Sequence, residues 1–142
     1  MNFRALLSGL LVTATLVGAA EPALAPASNW EMTMFTRESF HSMTLRGSRA
    51  TFPSAHQVDV ADLNLTVFAG DATNRVETII LSTTATFFPQ DSLARGTDGV
   101  RLIRDDLEAT GRQWIYLHAQ KKVSLQDHVR IVFHAEIKNL LK

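Results

Sequence analysis

The chain has 142 residues, enough for one domain. Its hydrophobic content of 46% and charged content of 20% exclude a wholly disordered chain. Lys+Arg and Asp+Glu both number 14, which leaves no net positive field to hold nucleic acid. The absence of cysteine removes disulfide frameworks, thiolate zinc sites, iron–sulfur clusters and a Cys nucleophile.

Residues Met1 to Ala20 read as an export signal. Arg4 gives a short positive start, and Ala5 to Ala20 is uncharged and rich in Leu, Val and Ala. Gly18-Ala19-Ala20 fits a small-x-small cleavage site, as does Ala23-Leu24-Ala25, although Pro26 would block a cut there. Left uncut, the segment would be a short membrane anchor instead. Residues 21–29 read as a linker, and the folded domain is expected over 30–142.

From Trp30 onward the dominant period is two. Leu63, Leu65 and Val67 alternate with Asn64 and Thr66. Ile79, Leu81, Ala85 and Phe87 share a parity, and so do Val129, Ile131, Phe133 and Ile137. Successive strand side chains point to opposite faces, so each run predicts a strand with one apolar face. Turn chemistry lies between the runs at Gly70-Asp71, Gly96-Thr97-Asp98-Gly99, Gly111 and Gln126-Asp127-His128. Residues Glu136 to Lys142 fray or form a short helix.

A weak repeat runs through this pattern. Phe87 precedes Val100 and Leu102 by the same offsets at which Tyr116 precedes Val129 and Ile131, and Phe52 with Leu63 and Leu65 is a shorter copy. Such units stack to bury a strip that one unit could not bury alone, though any meander of similar hairpins gives comparable runs. The expected fold is all-β and antiparallel, either an open jelly roll or a twisted β-sandwich.

Catalytic chemistry is thinly represented. The histidines make no H-x-x-x-H or H-x-H pair, and a zinc site would need His118, His128 and His134 to meet across strands. Asp105, Asp106 and Glu108 are neighbours in one turn-like stretch, not carboxylates facing across a cleft. A small hydrolase built on them would also need a histidine. There is no G-x-S-x-G elbow and no Gly-rich phosphate loop, so neither catalytic residue, metal nor cofactor is expected.

The apolar residues carry more. Parity assigns Leu63, Leu65, Val67, Ile79, Leu81, Phe87, Val100, Leu102, Ile115, Leu117, Val129, Ile131 and Phe133 to a common interior. That interior is either a plain sandwich core or, if the sheets splay, a greasy groove. Both demand the same alternation.

Leu107-Glu108-Ala109-Thr110-Gly111, Trp114-Ile115-Tyr116 and the run from Lys122 to Ile131 resemble the repeating unit of the periplasmic lipopolysaccharide-export proteins. These are the LptC and LptA (OstA-like) family. Gly47 to Phe52, Val60 to Leu65 and Glu77 to Phe87 are similar to the first half of its domain. The resemblance spans roughly Ser42 to Phe133, while Met32 to Leu45 matches the family poorly. It implies an open β-jelly roll that passes lipopolysaccharide from an inner-membrane ABC export complex toward the outer membrane. The acyl chains would lie on the thirteen apolar residues above, and neighbouring jelly-roll domains would join by edge-strand pairing. An anchored LptC-like role and a soluble LptA-like role both fit the N-terminus. A structural or adhesive β-module that docks by strand addition without lipid fits the same edges.

Overall fold

The computed structural model describes residues 24–134, and both the N-terminal stretch read above as an export signal and the last residues from Ala135 onward lie outside them. The described chain is almost wholly β-strand and antiparallel. Its strands are β1 (Ala27–Phe35), β2 (His41–Ser54), β3 (Gln57–Phe68), β4 (Val76–Phe88), β5 (Leu93–Gly96), β6 (Val100–Ile103), β7 (Leu107–Leu117) and β8 (Lys122–Phe133). One 3-10 turn, His118–Gln120, joins β7 to β8. β1 begins within the expected linker, with Ala27 paired to Ala50.

Each strand except β5 pairs with the next in a meander. β5 and β6 together make one pass, both lying between β4 and β7. The hairpins use ordinary turn chemistry. At the β3–β4 turn Gly70 takes φ 79°, and the Asp71 carboxylate accepts the backbone N–H of Thr73 at 3.0 Å.

The other expected turns are not hairpins. Gly96 to Gly99 is a break between β5 and β6, after which the chain continues in the same direction. Gly111 lies inside β7, and Gln126 to His128 lies inside β8. These positions belong to a transverse row that crosses the whole sheet. By register Asn29 lies beside Ser48, Ser48 beside Asp62, and Asp62 beside Thr83. Asp98 and Gln113 continue the row, and in β8 His128 lies just off it, at the register shift opposite Gly111. Asn29, Asp62, Gln113 and His128 all have positive φ, between 49° and 53°. A residue out of the β region breaks the two-residue period, so the side chains change face there. β3 buries Val58 and Val60 before Asp62 and Leu63, Leu65 and Val67 after it.

The row divides the sheet into two halves. The upper half buries Met43, Leu45, Leu65, Ile80 and Val100; the lower half buries Ala50, Val60, Phe87, Ala94, Trp114 and Tyr116. All of these belong to one core cluster. No α-helix is present among the described residues to cover so dry a face. The sheet therefore bends along the row and closes on itself, giving the open jelly-roll or twisted-sandwich arrangement that alternation predicts.

The phase change corrects four interior assignments. In β4 the buried residues are Thr78, Ile80 and Ser82, then Ala85 and Phe87. Ile79 and Leu81 therefore lie half-buried on the outer face. In β7 the switch at Gln113 turns Trp114 and Tyr116 inward, leaving Ile115 and Leu117 half-buried outside. One parity carried through a bent strand gives the wrong face on one side of the bend.

Candidate functional site

The two halves of the bent sheet meet at one corner and part at another. At the closed corner, the start of β2 and the β3–β4 turn reach the β7–β8 turn. Ser42 Oγ lies 2.5 Å from His118 Nε2, and Tyr116 Oη lies 2.8 Å from His118 Nδ1. Lys121 Nζ donates to the Phe68 and Ala69 carbonyls, both at 3.4 Å, and to Glu77 Oε2 at 3.0 Å. Lys121 reaches them because its own φ of 47° ends the 3-10 turn. Burial, then the nearby Lys121 charge, holds the His118 pKa below its ordinary value. Burial also raises that of the Tyr116 phenol, and the Glu77 carboxylate adds to it. This corner is a polar latch between residues far apart in sequence.

The open corner is β8. Among the described residues this strand pairs only with β7, so one row of its backbone groups is unpaired. Ile131 pairs with the buried Ala109 and Phe133 with Leu107, which puts both, with Val129, on the inner face. That face is bare here: Val129 is 46% exposed, Ile131 50% and Phe133 68%. Val132 beside them is also exposed. Covering a large aliphatic or aromatic side chain contributes roughly 1.5–3 kcal/mol, much of which these three forgo.

The thirteen expected groove residues thus fall into three groups. Leu63, Leu65, Val67, Phe87, Val100 and Leu102 are buried in the core. Val129, Ile131 and Phe133 share the same face but stand uncovered. Ile79, Leu81, Ile115 and Leu117 are on the other side. The middle of the interior is filled by Trp114, Tyr116, Phe87 and Met43, each 1% exposed or less. Trp114 and Tyr116 were not assigned inward by parity, yet the repeat that aligns Tyr116 with Phe87 already carries the right phase.

Two concavities lie on the outer face. One, of about 450 Å³, sits on the bend around Asn29, Ser48 and Asp62, where Ser48 Oγ donates to Asp62 Oδ2 at 2.7 Å. The other, of about 730 Å³, crosses the lower half from β2 to β8. Its walls are two adjacent rows of outer-face side chains. Arg49, Ala61, Thr84, Thr97, Gln113 and Gln126 form the first; Thr51, Asp59, Thr86, Arg95 and Ile115 form the second. Long side chains at the ends of the first row and short ones at its middle hollow out the trough.

The acidic stretch does not assemble a reaction centre. Asp105 and Asp106 occupy the β6–β7 turn, and the Asp106 carbonyl accepts the His134 N–H at 2.9 Å. Glu108 accepts from Arg101 Nε at 2.5 Å, and this bond holds its carboxyl below the usual carboxylate range. A carboxyl so held is a poor general acid. His118 is in the latch and His128 pairs with Asp127 at 2.9 Å. Among the described residues no cluster of three or more His, Asp or Glu could hold a metal ion.

No protein-family model matches the chain. No curated protein matches it either. Among the described residues no helix is long and apolar enough to cross a membrane.

Proposed function

We propose that this chain is a noncatalytic, periplasmic module of the lipopolysaccharide-export type, which contacts acyl chains at the bare inner face beside β8. The observation that carries this reading is the exposure of Val129, Ile131 and Phe133 on the face that is buried elsewhere. Acyl chains in water cost about 0.8 kcal/mol for each exposed CH₂, and an apolar strip of this kind lowers that cost. The unpaired edge of β8 is suited to strand addition, so a neighbouring jelly-roll domain would continue the strip. Both features lie in the segment that resembles the repeating unit of the export proteins. An inner-membrane ABC export complex would supply the energy. On this reading lipid would lie only at the open corner, since the middle of the interior is packed, and not along a groove through the whole interior.

Photocrosslinking groups placed at Ile131 and Phe133, with Leu81 on the outer face as control, test it in cells. Lipopolysaccharide adducts at the first two and none at Leu81 are expected. No lipid adduct at either inner position overturns the reading.

A second reading is a structural module that docks by its β8 edge and carries no lipid. The filling of the interior by Trp114, Tyr116 and Phe87 favours it. In that case the same probes give protein adducts only.

A further inference from the structure

The outer trough of the lower half has no part in the lipid reading, since it lies on the opposite face from the bare strip. We propose that it is a binding site for a linear oligosaccharide bearing anionic groups.

Its shape comes first. The trough crosses six strands, a span of about 24 Å at about 4.8 Å per strand step, and its volume of about 730 Å³ falls within the range of ligand sites. Something long and narrow fits it better than a compact molecule.

Its chemistry comes second. Three primary amides, Gln57, Gln113 and Gln126, supply donors and acceptors together, as hydroxyl-rich ligands require. The threonines along the floor add hydroxyls. Asp59 is already held, its Oδ1 accepting from Gln57 Nε2 and Thr86 Oγ1, both at 3.0 Å. Asp98 at the bend takes the Thr84 hydroxyl.

The cations decide the ligand's charge. Among the described residues neither Arg49 nor Arg95 has a carboxylate within ion-pair distance. Arg95 lies over the Phe88 ring, 4.9 Å from its centroid, which fixes the guanidinium without using its donors. Two forks of unused N–H groups on one concave surface match carboxylate or phosphate groups carried on a sugar chain.

The test uses the full-length chain, NMR titration and three probes: tetragalacturonate, maltotetraose and inorganic phosphate. Saturable amide shifts at Thr51, Asp59, Thr86 and Arg95 are expected with tetragalacturonate. The other two probes are expected to bind at least tenfold more weakly. Arg49→Gln with Arg95→Gln, both on exposed side chains, weakens tetragalacturonate at least tenfold. Ala61→Phe, which fills the floor, abolishes its binding; the dispersed spectrum of each variant confirms its fold. Absent shifts, or shifts confined to β8, overturn the site. Equal binding of maltotetraose overturns the anionic assignment, and equal binding of phosphate overturns the saccharide. Crosslinking of lipid at Ile131 is unaffected by any of these outcomes, so the two proposals fail separately.

Discussion

His118 sits half-buried between the Ser42 and Tyr116 hydroxyls, with Lys121 nearby. Its neutral ring is favoured because burial and then the lysine charge depress its pKa below 6.5. Between the folded value and 6.5 the unfolded chain binds more protons than the folded one, so stability rises with pH across that window. The contribution is complete above about pH 6.5 and is lost as pH falls toward the folded value. Urea midpoints at pH 7.5 and 5.5 measure this: the wild type loses stability on acidification, and His118→Gln loses less. At the same scale, Ile80 and Ile79 are adjacent but on opposite faces. Ile80→Ala is expected to cost about 2–5 kcal/mol as a core truncation. Ile79→Ala is expected to cost about 1 kcal/mol or less, and reversed values would refute the register of β4.

The bend governs the elements. Gln113 holds φ 53° without a side-chain cap, a conformation glycine adopts freely and β-branched residues resist. Gln113→Gly is expected to be neutral or mildly stabilising, whereas Gln113→Val costs about 1–2 kcal/mol. Thermal melts of the two variants distinguish them. The bend also explains what could be read in advance. The alternation of Leu63, Leu65 and Val67 gave the correct face because it stops short of Asp62. The set Ile79, Leu81, Ala85 and Phe87 straddles Thr83 and Thr84, where nothing in two threonines announces a change of face. Gly96 to Gly99 and Gln126 to His128 have the composition of hairpin turns. Polar and glycine residues serve equally well where a strand bends and where it reverses, so local composition cannot separate the two.

For the whole molecule, the all-β class follows from period-two patterning in nearly every segment, and the structure bears it out. The candidate site was legible only in part. Val129, Ile131 and Phe133 were assigned to the correct face, yet their exposure depends on what lies opposite, and alternation says nothing of that. The latch was illegible because Ser42, Glu77, His118 and Lys121 come together only when the sheet closes. Tertiary closure, not propensity, decides which apolar residues end in the core and which remain on a rim.

The latch at one corner and the bare strip at the other make the domain's interior unequally accessible to water. Hydrogen exchange provides a direct map of this. Inner-strand amides of β3 and β4 exchange only through global unfolding, while those of β8 beyond His128 exchange through local fraying. Water therefore reaches the interior past β8, and this bare edge strand is expected to come apart before the strands it leans on.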